Sequence, residues 1–200
     1  IADYPILGTI AQINAFALGA QMTNPRAKVY LEWSTLKEQD IEKRIDEIDP
    51  NCISGKDIIV PDDNNHFYGV YHRESGGGEQ KNLAMPLCHW GKFYEELIRT
   101  IMAGNWEQDN DVEKAINYWW GMPTGVVDVI CSKKLPAGTV RLVNVLKHNY
   151  KTGQFHTFTD QMYAQGHILK EKKGETLSPE EVIEMDWLAE NIIGRIPKIE

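Results

Sequence analysis

Residues 28–33 read KVYLEW, and the stretch decides how the rest of the chain is parsed. Val29, Leu31 and Trp33 alternate with Lys28, Tyr30 and Glu32. That period of two predicts a strand with one dry and one wet face. Upstream, Ile6, Ile10, Ile13, Ala17 and Ala20 recur at helical spacing until Asn24 and Pro25 stop the helix. Ile1 to Tyr4 reads as the end of a further strand, an opening that suggests a processed piece or fragment. Downstream, Ile41, Ile45 and Ile48 mark one face of a charged helix ending at Asp49 and Pro50. DIIV (57–60) and FYGVY (67–71) then read as short strands either side of the turn-rich PDDNNH.

The first 71 residues thus alternate strands with helices, which predicts an α/β unit with a largely parallel sheet. A third helix is expected over about 91–103, with Tyr94, Leu97, Ile98 and Ile101 inward and Gly104 as its stop. In NYWWGMPTGVVDV (117–129), Trp119 and Trp120 must point to opposite faces of any strand they share. A fourth helix follows from Pro136 to about Tyr150, its inner face carrying Leu142, Val143, Leu146 and Tyr150. FHTFT and HILK, bridged by Gln165 and Gly166, read as a hairpin. The last helix carries a capping box, with Ser178 as N-cap, Pro179 at the first position and Glu181 closing it, and Leu177 facing Val182 as a staple.

The bulk numbers describe an ordinary globular chain of 200 residues, 42% hydrophobic and 25% charged. Its net charge of −8 and the lack of a basic run argue against nucleic acid as a partner. Cys52, Cys88 and Cys131 are odd in number and far apart, so they are expected as buried thiols, neither a disulfide framework nor a zinc site. No apolar run approaches the roughly 20 residues of a membrane span.

Catalytic and metal signatures fail one by one. SGGGEQK lacks the Gly-Lys-Ser/Thr of a phosphate loop, so Gly76 to Gly78 read as a turn. A calcium loop starting at Asp63 would reach Glu74 at its twelfth position, but Phe67 takes a ligand position and Gly69 falls one place late. No HExxH or GxSxG motif occurs, and His89 beside Cys88 is adjacency without a dyad. The chain is therefore read as non-catalytic, with neither metal nor cofactor. Three polar or aromatic groups fall at expected strand ends, where an open sheet places its crevice: Trp33 with Ser34 and Thr35, Asp62 to Asn65 after DIIV, and Tyr71 with His72, Arg73 and Glu74. Trp33, Trp90 and Trp120 are candidate aromatic contacts for a flat ligand, and Asp63, Tyr71, His72 and Glu74 candidate polar ones.

Several blocks in order, YPI and INAFALGAQMTNPRAKV, HWGKFYEELIRTIMAGNW, YWWGMPTGVVDV, GQFHTFTDQMYAQGHIL and LSPEEVIEMDWLAENIIGRIP, make the chain resemble the basic membrane protein family of ABC-transporter substrate-binding lipoproteins, which includes purine-nucleoside receptors. The resemblance implies a type I periplasmic binding protein fold, two α/β lobes closing on a solute, of which this chain holds the later part, with the first lobe incomplete or absent. On that basis 1–115 is the core of the second lobe, and 116–200 supplies crossover strands, a helix, a hairpin and a capped C-terminal helix. It further implies a nucleoside-like solute, membrane subunits of a transporter as partners and an extracytoplasmic, lipid-anchored parent. The alternative is a structural or interaction domain, or a ligand-sensing regulatory one, that kept the fold and lost the ligand, with a homodimer through the face left by the first lobe. Residues 71–75, YHRES, stand where the family has an acidic sugar-binding motif, and Trp120 stands where it has a small residue, so altered or lost binding is expected there.

Overall fold

The computed structural model describes residues 1–6, 8–36, 40–55, 69–76, 80–104 and 121–198. By contacts the chain forms two units, one of Ile1–Asn82 with His156–Glu200, the other of Leu83–Phe155.

In the first unit, α1 (Thr9–Thr23) begins after Gly8, whose left-handed backbone (φ 84°) turns the chain into the helix. Ile6 thereby falls outside the helix and is exposed, although its spacing matched the inward stripe. Ile10, Ala11, Asn14 and Ala17 are the buried face. β1 (Val29–Tyr30) follows, and the alternation of KVYLEW holds: Leu31 and Trp33 are buried while Tyr30 is exposed. The charged helix α2 (Ile41–Ile48) is capped by Asp40, whose side chain accepts from the Lys43 amide at 3.2 Å.

β2 (Cys52–Ser54) pairs antiparallel with β3 (Val70–Arg73), setting Ile53 beside Tyr71 on the buried side. DIIV, and Phe67 and Tyr68 of FYGVY, lie outside the described residues. β6 (Thr159–Ala164) and β7 (Ile168–Thr176) form the expected hairpin, longer than the two short runs that announced it. α5 (Pro179–Ile183) carries the capping box: the Glu181 amide donates to Ser178 Oγ at 3.3 Å and the Ser178 amide to Glu181 Oε2 at 2.7 Å. β8 (Ile192–Ile193), absent from the sequence-based expectations, runs parallel to β1 in the register Val29↔Ile192, Tyr30↔Ile193.

Ile10, Ala17, Leu31, Trp33, Leu188 and Ile192 centre the core of this unit, with Leu177 and Val182 packed against it. Burying side chains of this size contributes about 1.5–3 kcal/mol each. Asn14 sits among them fully buried, its amide committed to the backbone of the segment after α5.

In the second unit, the later part of β4 (Gln80–Cys88) pairs antiparallel with β5 (Val127–Cys131), from Ala84↔Cys131 to Cys88↔Val127. A 3-10 turn, Met122–Thr124, ends at Gly125 (φ 76°), where a Cβ would sit 2.9 Å from Lys92 Nζ. α4 (Ala137–Lys151) is tied to β5 by Lys147, whose Nζ lies 2.6 Å from Asp128 Oδ1 and donates to the Val129 carbonyl at 3.0 Å. α3 (Trp90–Met102) forms where its periodicity placed it, yet Tyr94, Ile98 and Ile101 are exposed and only Leu97 of the expected inner face is half-buried. Periodicity identifies residues that share a face; whether the face is covered depends on what packs there. Leu142 of α4 is likewise exposed, while Val143, Leu146 and Tyr150 are half-buried.

The chain is α/β, with its pairing more mixed than alternation of elements implied. Among the described residues, β1 pairs parallel with β8 and Ala2 bridges Trp33 in parallel, while the pairs β2 with β3, β4 with β5 and β6 with β7 are antiparallel. A chain that simply reverses pairs antiparallel, and only strands separated by a crossover, as β1 and β8 are by most of the chain, come out parallel. The cysteines also differ from expectation: Cys52 and Cys88 are exposed and Cys131 half-buried, all free. No helix among the described residues is long and apolar enough to cross a membrane.

Candidate functional site

A cleft of about 640 Å³ opens at the carboxyl ends of β1 and β8. Two backbone bonds hold the strands together up to that point, Val29 N–H to the Asn191 carbonyl and Leu31 N–H to the Ile193 carbonyl, both 2.9 Å. Beyond it the strands part. The Trp33 indole donates from Nε1 to the Arg195 carbonyl at 2.9 Å, and Gln165 Nε2 donates to the carbonyls of Ile192 (2.9 Å) and Gly194 (3.0 Å). These bonds fix the backbone that leaves β8 as one wall. Gly194 makes the close approach: a Cβ there would lie 2.8 Å from Leu31 Cβ and 3.0 Å from the Leu31 carbonyl.

Leu31, Trp33, Leu36, Ile193, Ile196 and Pro197 give the cleft an apolar lining. Its volume suits a small organic molecule, and its place at the carboxyl ends of parallel strands is where open α/β sheets hold ligands. Tyr30, 44% exposed, offers an aromatic face at the rim. Among the described residues, the charged part of the lining is Glu32, Arg44, Arg195 and Lys198. Arg44 Nε and Nη2 both lie 3.2 Å from Glu32 Oε1, and its Nη1 lies 2.7 Å from Glu47 Oε2. The hydrogen bonds it donates to Glu47 and then Glu32 push the Arg44 guanidinium above its ordinary range, so this group stays charged and engaged.

Of the residues singled out from sequence, Trp33 lines this cleft. At 3% exposed it is a wall, with its indole edge spent on Arg195. Tyr71, His72 and Arg73 lie within β3, where the sequence placed the last two just past a strand; the strand runs on beyond Tyr71 to Arg73. Tyr71 is buried, and that burial pushes its phenol above the usual range. His72 donates from Nδ1 to the Asn51 carbonyl at 2.7 Å across the β2–β3 ladder. Arg73 is held by Asp46 of α2 through Nη2, and its Nη1 is buried with no hydrogen-bond partner. Glu74 is exposed, 2.7 Å from Lys81, and the Lys81 hydrogen bond holds its carboxyl below the usual range. None of these four lines the cleft.

Trp90, 61% exposed, belongs to the other unit and meets Phe93 edge to face at 6.0 Å. Asp63, Trp119 and Trp120 lie outside the described residues. Among the described residues no group of three His, Cys, Asp or Glu side chains converges on a metal position. A smaller hollow of about 260 Å³ between Gln165, Lys170, Asp186 and Trp187, with Lys170 Nζ 5.7 Å from the indole centre, falls below the size usual for ligand sites.

Sequence reasoning passed over Tyr30, Arg44, Arg195 and Lys198. Tyr30 stood on the wet face of KVYLEW; the paired isoleucines of NIIGR, followed by Gly and Arg, were the one sign of a second strand end.

No protein family's sequence profile matches the chain. A purine-binding protein of Brucella abortus is 24% identical over 209 aligned residues, covering 99% of this chain and 58% of that protein. A Haloferax volcanii protein whose provisional name is that of an ABC transporter glucose-binding protein is 30% identical over 138 residues, covering 63% of this chain and 33% of that one. The chain thus spans a little over half of one relative and a third of the other. The resemblance to ABC-transporter substrate-binding proteins read from the sequence stands, and both relatives are binding proteins by name, in accord with a non-catalytic chain.

Proposed function

We propose that the chain is the solute-binding part of an ABC-transporter substrate-binding protein of the basic membrane protein kind, and that its solute, a small nucleoside-like molecule, enters the cleft between β1 and β8. The observation that carries this reading is the apolar cleft at the carboxyl ends of the parallel pair, walled by Trp33 and rimmed by Tyr30. In this proposal the chain supplies half of a two-lobed site. A membrane-anchored lipoprotein outside the cytoplasm and the membrane subunits of a transporter are its wider setting.

Isothermal titration and thermal unfolding of the purified chain with a purine nucleoside and with glucose test it. The expected result is weak, saturable binding of at least one, with a concentration-dependent rise in Tm. No heat and no shift with either solute, nor with a nucleoside monophosphate or gluconate in its place, would remove the solute-binding reading.

One observation favours a second use of the same fold. Trp90, Tyr94, Ile98 and Ile101 form an exposed apolar stripe along α3, of the kind that marks an assembly surface. Under this alternative the chain has kept the architecture and lost the ligand. Sedimentation equilibrium separates the two: self-association weakened by Ile98→Glu, together with silent titrations, selects the structural role.

A further inference from the structure

We infer that the cleft between β1 and β8 selects a solute bearing an anionic group, a phosphate or a carboxylate, on a body flat enough to lie against Tyr30. This rests on the proposal that the cleft is the solute site. The charges on its lining decide the matter. Glu32 is the one acid among the described lining residues, and it is consumed by Arg44, which Glu47 also holds. Arg195 and Lys198 remain, and neither side chain has an ion-pair partner among the described residues. Two cations at one cleft, neither with an ion-pair partner among the described residues, stand out on a chain whose net charge is −8.

Geometry strengthens the charge argument. Arg195 leaves a backbone fixed on both sides, by the Trp33 indole at its own carbonyl and by Gln165 at that of Gly194. Less ordering is then lost when its guanidinium engages a ligand. A guanidinium presents a planar fork that matches two oxygens of a phosphate or carboxylate, and Lys198 adds a point charge beside it. The apolar walls, Leu31, Leu36, Ile193 and Ile196 among them, are low-dielectric surfaces that concentrate the field of both cations at the cleft. A neutral nucleoside or hexose would leave both cations unanswered.

The test compares a purine nucleoside with its monophosphate, and glucose with gluconate, by titration calorimetry on the purified chain at low and high salt. The monophosphate or gluconate is expected to bind about tenfold or more tighter than its neutral counterpart, an advantage that shrinks with salt. Which pair shows the advantage separates a phosphate from a carboxylate ligand. Arg195→Gln and, independently, Lys198→Gln should each lower the ratio of anionic to neutral affinity toward one, so that poor folding of either variant leaves the other to report. Equal affinities within each pair, or a ratio unmoved by both substitutions, would overturn the inference while the solute site stands. Silence from all four probes would overturn both.

Discussion

Asn14 Oδ1 accepts a hydrogen bond from the Ala189 amide at 2.8 Å, joining residues 175 positions apart in the middle of an apolar core. From the same side chain Nδ2 donates to the Trp187 carbonyl at 2.7 Å. The segment between α5 and β8 contributes Met185, Leu188 and Ala189 to the core with a single antiparallel bridge, Ala189 to Ala164, to pair its backbone. Asn14 supplies part of that pairing, the Gln165 amide adds a bond to the Leu188 carbonyl at 2.9 Å, and β8 is thereby delivered beside β1.

Replacing Asn14 therefore costs more than one side-chain contact. Asn14→Leu strands the buried Ala189 amide, at about 1–3 kcal/mol, and the half-buried Trp187 carbonyl at less. Asn14→Asp keeps the acceptor for Ala189 but turns an oxygen toward the Trp187 carbonyl, so it should not rescue. Urea denaturation followed by tryptophan fluorescence is expected to show a lower midpoint for both variants. A midpoint equal to that of the parent would mean that the segment holds itself.

The capping box at α5 makes a smaller, local prediction. α5 is a single short helix whose first turn is satisfied by Ser178 and Glu181 reciprocally. Ser178→Ala should cost about 1 kcal/mol, and Ser178→Asp should restore most of it, because a carboxylate accepts the same amide and suits a helix start. Paired denaturation curves decide, the rescue being the informative arm.

Acid sensitivity should trace in part to Asp128. The Lys147 hydrogen bond, followed by the Val129 amide, holds its carboxyl below the usual range, so the folded state binds its proton less readily than the unfolded chain does. A depressed folded value contributes stability that is complete above the ordinary Asp value of about 3.9 and is lost as pH falls through the folded value. The Tm gap between the parent and Asp128→Asn is thus expected to stay constant from neutral pH to about 5, then to narrow below about 4. A gap that persists unchanged into strong acid would assign the effect to packing.

Much of this was legible in the sequence, and for identifiable reasons. KVYLEW announced its buried and wet faces because period two is a local property, and the capping box was legible because all its members fall within four residues. β8 was not, since two isoleucines make no pattern of their own and become a strand only beside Val29 and Tyr30. The cleft was hidden for the same reason: Arg195 and Trp33 meet through one bond over 162 positions. The inward face of α3 misled because amphipathicity records a preference, and the partner that would satisfy it is a matter of tertiary context.

Gly194 is where fold and cleft can be tested together. Its backbone passes so near Leu31 that an added Cβ would meet side chain and carbonyl at 2.8 and 3.0 Å, and its φ of 155° lies where non-glycine residues are strained. Neither obstacle is a flexible tip, so relief requires β8 and the segment after it to move away from β1. Gly194→Ala should then destabilise the chain by about 1–3 kcal/mol, the usual penalty for overpacking. The same movement would lengthen the bond from Trp33 Nε1 to the Arg195 carbonyl and displace the guanidinium. Relative to the parent, the variant is expected to give a lower Tm, an altered indole environment by near-ultraviolet circular dichroism, and weaker binding of whichever probe the parent binds. A loss of stability with binding intact would separate the two roles and place the solute elsewhere than beside Arg195.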